Sequence, residues 1–495
     1  MKKKLLLFSC SVIVCASAIA QAQNHFRRNS IYSVIVKSKA LERVDQAEGS
    51  SNNVITDMIK SSVKKEVSDT VAGKNKSQII LDEFKTIPTP TQFNDFNFDF
   101  PRIIDADAYN VTQEEIDAAN AETGEKKKSG FGKFMKSASK QALGEVKAAA
   151  GVDSTQDNTK ERIPAIMKKY IAETQLAPNL VGKWYGYNKE NKTWDPNATY
   201  FVEQASYGAT QEEVDLAKKL GTTHTFGAAV GEQLIGKTFL LVNYMKYRSY
   251  ASIIAEAQAY ANAVGSQFGS IGALASQAAG AAAGAIAGDG YCVEVNSYLY
   301  QLQWDKDIQA KFDNEYYNKP IEELVASGIC TLKYLGKDKA NARVRQAITN
   351  KTSEEDLIRY ATINAINKSI TKLQAKFEAF RTFTPITEVD EANGVLYAKI
   401  GEKEGLVADD EFEIVEIQQD PATGEQKEKV KGTVKVVKNQ IWNNLEGAEV
   451  TTDNSEQKDG TDSEQKAREL GKTQFKGKVK GTYPGELLRL KKKKK

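Results

Sequence analysis

Apolar and polar positions alternate or cluster along this chain in a way that separates strands from helices. SIYSVIVKS (Ser30 to Ser38) is rich in β-branched residues and predicts a strand. Two more strand-like runs, GKTFLLVNYMKYRSY and YCVEVNSYLYQLQWD, flank an Ala/Gly tract from Ala257 to Gly288, and GICTLKYLG predicts a fourth strand. Phe96, Phe98 and Phe100 alternate, which gives a short strand one aromatic face. NLVGKWYGYN and TWDPNATYFVEQAS read as two strands of a hairpin around NKENK, with Trp184, Tyr185, Tyr187 and Trp194 clustered on it. IPAIMKKYIAETQ reads as a helix. A longer helix follows from Ile363, Ile366, Ile370, Leu373, Phe377 and Phe380, spaced 3, 4, 3, 4 and 3 residues apart. That seam is under three heptads, so it fits a helix laid over a sheet, and Pro385 is its expected stop. From Ala392 the texture changes to period-two β, through GVLYAKIGEKEGLVADDEFEIVEI, VKGTVKVVKNQIWNN and FKGKVKGTYPGELLRL.

The fold class implied is α+β. A large mixed domain (24–390) carries a polar, lysine-rich insertion at about 124–162. A small antiparallel barrel-like module (391–490) follows, with an acidic loop at 446–471 and a basic tail at 491–495.

The tract itself admits two readings. Tyr260, Val264, Phe268, Ile271 and Leu274 lie on one helical stripe. Gly272, Ser276, Gly280, Gly284 and Gly288 then recur every four residues and make a nearly bare ridge. Such a ridge lets a second helix approach closely, in a membrane or an oligomer. Only six of the tract's 32 residues are large and apolar. A spanning helix needs about 20 predominantly apolar residues, so a soluble segment joining two strands is the other reading.

Composition narrows the setting. Lys2, Lys3 and Lys4 precede LLLFSCSVIVCASAIA, a secretory signal with an expected cut after Ala20 or Ala22. Removing three lysines from a formal charge of +3 leaves a neutral chain, which argues against nucleic acid as a global partner. Cys292 and Cys330 remain, both in β-like runs; an oxidising compartment permits a disulfide between them, and two buried thiols are the alternative. Two cysteines and two histidines leave little for a structural zinc site, which usually draws four Cys/His ligands.

Candidate chemistry is sparse. Thr112 with Glu115 and Thr210 with Glu213 form two capping boxes, read as two helices that start alike. Asp95, Asn97 and Asp99 resemble the start of a calcium loop, but its glycine and its closing glutamate are missing. GEQLIGKT (Gly231 to Thr238) matches the phosphate-loop expression, yet a strand is expected after Lys237 where that loop needs a helix. IILDE (Ile79 to Glu83) imitates the loop's magnesium-binding partner but stands in the wrong order. No G-x-S-x-G or H-E-x-x-H occurs, and His25 and His224 are the only triad bases on offer. No cofactor and no metal site are expected.

Gly401, Gly405, Leu406, Asp410, Phe412, Glu413 and Ile414 form a turn-and-strand run. This run resembles the C-terminal module of bacterial envelope proteins such as flagellar assembly protein T, over roughly a fifth of the chain. The resemblance implies docking or assembly without catalysis. The expected protein is an exported, non-enzymatic binding or assembly protein, periplasmic or at the outer membrane, with envelope proteins or glycans as partners. The aromatic hairpin supplies its binding residues. A carbohydrate-active hydrolase with a carboxylate pair and an oligomeric membrane-inserting protein are the alternatives.

Overall fold

A computed structural model describes residues 28–41, 75–97, 100–123, 158–206, 231–250, 253, 290–346, 352–419, 426–447 and 466–491. The expected export signal, His25, Thr210 with Glu213, His224, residues 124–157 of the expected insertion (124–162) and the expected ridge of Gly272, Ser276, Gly280, Gly284 and Gly288 lie outside the described residues.

The architecture is α+β. Its first strand is the β-branched run, β1 (Asn29–Lys37), next to the edge of the sheet. It pairs in parallel with β2 (Phe93–Asp95) and β3 (Ile103–Asp105) on one side and with β4 (Thr238–Ser249) on the other. The strands β5 (Gly290–Gln303) and β6 (Thr331–Arg345) continue the sheet antiparallel. Between β2 and β3 the edge of β1 is bare, and side chains complete it. Ser33 N donates to Asn97 Oδ1 at 3.0 Å, and Arg102 Nε donates to Ser33 O at 3.0 Å. Asp95 Oδ1 accepts from Asn97 N at 2.8 Å. Two members of the calcium-like string therefore build a turn and a sheet edge.

The described helices are α1 (Lys76–Thr86), α2 (Gln113–Glu122), α3 (Thr159–Glu173), α4 (Leu176–Trp184), α5 (Thr199–Ser206), α6 (Lys306–Glu315), α7 (Ile321–Ser327) and α8 (Glu354–Lys376). Sheet alternation sorts the core in two. Ile31, Ile35, Phe239, Leu241, Val293 and Val295 pack under α1 and α8. Tyr32, Val34, Leu240, Val242, Tyr298 and Tyr300 pack under α3 to α7. At α2 the expected capping box is present: Thr112 Oγ1 accepts from Glu115 N, and Glu115 Oε2 accepts from Thr112 N.

Two expectations change and one open alternative is resolved. The aromatic segment folds as helices α4 and α5, not as a hairpin; one bridge, Asn188 to Thr193, closes the turn between them. Leu176, Leu180 and Trp184 recur at helical spacing and are all buried, while Asp195 accepts from Asn197 N and Thr199 N and so starts α5. Secondly, α8 ends at Lys376, well before Pro385, which lies inside a strand. Phe377 takes an extended backbone, its ring fills the space above Gly336 (φ +149°), and Phe380 packs against Phe93 and Phe239. Thirdly, Cys292 and Cys330 are not bonded. Thr331, next to Cys330, pairs with Gln303, and Cys292 lies eleven residues back along β5 (303 − 292). At about 3.3 Å per residue the thiols sit roughly 35 Å apart, while a disulfide needs Cα atoms within about 7 Å. The strand expected after Lys237 is present as β4, with a helical turn before it, so the phosphate-loop match has no helix N-terminus to face a phosphate. IILDE forms part of α1.

The C-terminal module is a closed, six-stranded antiparallel barrel in the order β10-β11-β8-β7-β12-β9. Its strands are β7 (Phe383–Asp390), β8 (Val395–Ala398), β9 (Glu411–Gln419), β10 (Gln426–Val436), β11 (Thr473–Gly477) and β12 (Leu487–Leu490). The first strand begins at Phe383, ahead of the boundary expected near residue 391. Leu396, Phe412, Ile414, Val434, Phe475 and Leu488 fill the interior. In the Gly-x-x-x-Gly-Leu run, Gly405 (φ +71°) closes a 3-10 turn and Asp410 Oδ2 accepts from Val407 N at 3.0 Å. The barrel seats on the outer side of α8: Thr371 Oγ1 donates to Glu404 O at 2.6 Å, and Asn364 Nδ2 donates to Glu446 O at 3.3 Å. That helix is therefore buried against the sheet on one side and the barrel on the other.

Candidate functional site

The four aromatics expected to bind ligand belong to the core. Trp184 and Tyr185 are 0% exposed and Trp194 is 7% exposed. Each polar handle is occupied: Trp184 Nε1 donates to Thr238 Oγ1 at 2.8 Å, Tyr185 OH accepts from Gln309 Nε2 at 2.7 Å, and Trp194 Nε1 donates to Lys319 O at 2.6 Å. Their rings pack on Phe96, Phe201, Phe312 and Tyr317 at centroid distances of 4.7–6.3 Å. Tyr187 is partly buried against Trp194. Rings so engaged cannot stack on a sugar, and the glycan-binding reading of this cluster is withdrawn.

A different surface emerges from the same sheet. On β4 to β6 the side chains that point away from α8 share one face. Near Tyr244, Tyr298 and Tyr300 that face is sealed by helices. Farther along, toward the end where β1 and β4 finish, the cover by the described helices reaches to the start of α3, where Tyr298 OH donates to Lys160 O at 3.1 Å. Beyond that point the face carries Lys246 and Arg248 on β4, Cys292 and Glu294 on β5, and Lys337, Lys339, Asn341 and Arg343 on β6. Arg248, Lys339, Asn341 and Arg343 are exposed, and Lys246, Cys292, Glu294 and Lys337 are half-buried. With Lys160 at the rim, six cations and one carboxylate share this face among the described residues. Asp338 points to the other side of the sheet, toward Lys376 of α8.

Electrostatics follow the geometry. Lys339 Nζ lies 2.5 Å from Glu294, and Asn296 Nδ2 donates to Glu294 Oε1 at 3.2 Å. Burial pushes the Glu294 carboxyl up, but these hydrogen bonds and the charges of Lys339 and Lys160 carry it below the usual carboxylate range. Burial lowers the Lys160 ammonium; Lys337, Lys339 and Lys246 push the same way, and Glu294 opposes them. Lys246 and Lys337 lie over the Tyr244 and Tyr298 rings at 5.5 and 5.2 Å, so the buried rings form the floor beneath them. The face can attract and hold negative charge.

The rest of the described surface offers less. A crevice bounded by Ile87, Pro88, Asn97, Arg102 and Ile370 has about 20 Å³ of room, that of a water molecule. Among the described residues no three His, Cys, Asp or Glu side chains cluster to hold a metal ion, and no helix is long and apolar enough to cross a membrane. Several described stretches end or resume at the same end of the sheet as the basic face, among them at Leu41, at Tyr250, at Gly290 and at Gln346.

Sequence reasoning passed over this face. Lys337, Lys339 and Arg343 alternate with Asp338, Ala340 and Ala342, a period-two signal present in the chain. Its meaning depends on how far the helices reach across the sheet. Comparison with protein-family models and with curated proteins found no match.

Proposed function

We propose that this chain is an exported, non-enzymatic binding protein of the bacterial cell envelope that holds an anionic partner on the basic face of its sheet. The observation that carries the reading is the convergence of Lys160, Lys246, Arg248, Lys337, Lys339 and Arg343 on one face around Glu294, the one acid of that face among the described residues. Such a field raises the local concentration of anions and speeds their encounter. The barrel serves as the docking module. Its turn run resembles that of flagellar assembly protein T, and only Arg381 and Thr382 separate it from the Phe380 anchor. That spacing favours a barrel held in a constant orientation to the sheet.

Fractionation of producing cells tests this. The expected result is a mature chain lacking the first 20 to 22 residues that sediments with envelope material and is released by salt. Lys339→Glu with Arg343→Glu shifts the protein to the soluble exported fraction. A cytoplasmic, full-length chain, or an unchanged distribution of the double variant, would contradict the proposal.

A further inference from the structure

Resting on that reading, we infer that the anionic partner is an acidic polysaccharide, one extended chain of which lies along β5 between the cations of β4 and β6. The register sets the shape. Arg248 and Arg343 stand on either side of Cys292, and Lys246 and Asn341 stand on either side of Glu294. Neighbouring strands are about 4.8 Å apart, so the two basic rows run roughly 10 Å apart with β5 as the floor between them. Successive side chains on a row are about 6.7 Å apart, twice the rise per residue. Lys160 and the start of α3 wall one end. A single polymer strand fits that trough.

The side-chain mix selects the polymer. The β6 row reads cation, cation, amide, cation through Lys337, Lys339, Asn341 and Arg343. Cations meet acid groups, and the Asn341 amide both donates to and accepts from hydroxyls. A bilayer surface is a poorer fit, because peripheral membrane segments insert apolar side chains. The exposed large apolar residues among those described, Val407, Val430 and Tyr483, are all on the barrel. Single-stranded nucleic acid stacks on exposed aromatic rings, and here Tyr244 and Tyr298 are 0% exposed. Acidic peptide motifs are recognised by clusters of Arg, whereas Arg248 and Arg343 stand at one end of this trough and the rest of its rows is Lys and Asn.

Binding of the full mature chain to immobilised polygalacturonate tests the inference, with a neutral glucan, phosphatidylglycerol vesicles and single-stranded oligothymidylate as parallel probes. Polygalacturonate should bind, weaken with salt, and lose about tenfold or more in affinity in Lys339→Glu/Arg343→Glu. The same charge change on the barrel, Lys476→Glu/Lys478→Glu, should leave binding within about twofold. Lys339→Gln/Arg343→Gln, checked for an unchanged thermal midpoint, separates charge loss from misfolding. Equal loss in the sheet and barrel variants overturns the inference. Face-dependent binding of vesicles or oligothymidylate without polygalacturonate also overturns it, and leaves the anion-binding reading standing. No face-dependent binding of any probe overturns both.

Discussion

Two halves of one sheet face, built from the same three strands, have opposite characters. In the half around Tyr244, Tyr298 and Tyr300 the face is closed by α3 to α7, and the rings of Trp184, Tyr185 and Phe312 lock over it. In the half beyond Lys160 the same alternation presents Arg248, Lys339 and Arg343 to solvent. The strand backbone is continuous through both, so pairing does not distinguish them. The difference lies in the cover by the described helices, and on the proposed reading stability belongs to the aromatic half and binding to the basic half.

The largest expected effect falls on the covered half. Trp184→Ala removes a fully buried side chain and its hydrogen bond to Thr238 Oγ1. It should cost about 3–5 kcal/mol in denaturant unfolding, while the fraction that stays folded binds polyanions as before. A folded, stable Trp184→Ala protein with lost binding would erase the division between the halves. Lys339→Ser with Arg343→Ser should do the reverse: stability within about 0.5 kcal/mol of the parent, and polyanion affinity reduced about tenfold or more.

Glu294→Gln sharpens the comparison further. The ion pair with Lys339 is half-exposed, so its loss should cost less than about 1 kcal/mol. Affinity for polyanions should rise, since the one opposing charge is gone. The carboxyl sits below its ordinary value in the folded chain. Its contribution is thus present above the unfolded pKa, about 4.3, and disappears as pH falls through the folded value. The Gln variant should lack that acid-side loss in thermal unfolding.

The smallest effect concerns Lys183 of α4. Its Nζ donates to Asn97 O at 2.6 Å and lies 4.4 Å from the Phe96 ring centroid. Burial lowers it to about 8, with Asp95 opposing. Between that value and the unfolded value of about 10.4, the unfolded chain binds more protons, so stability rises with pH. Thermal midpoints from pH 7 to 10 should climb more in the parent than in Lys183→Met. Identical slopes would remove Lys183 as the cause.

Much of the architecture was legible in the chain because local pattern and tertiary role agree. The strands β1, β4 and β5, the capping box at Thr112, the seam of α8 and the alternating barrel strands all follow period and cap chemistry. The aromatic cluster misled because Trp and Tyr serve strands and helices alike; the deciding stripe is Leu176, Leu180 and Trp184. The cysteine pair misled because adjacent strands say nothing of position along them, and register places the thiols at opposite ends. The binding face was hidden for a third reason: Lys339 and Arg343 look like any solvated strand until the reach of α3 is known.

Thiol labelling of the folded mature chain tests the division most directly, because one cysteine lies in each environment. Cys292 is half-buried between Arg248 and Arg343. Cys330 is buried, and desolvation pushes its thiol up to about 12. Mass spectrometry after alkylation should find Cys292 modified first and Cys330 modified only on unfolding, with polygalacturonate slowing the reaction at Cys292. A Cys292–Cys330 disulfide, or earlier labelling of Cys330, would contradict the register and the cover on which the account depends.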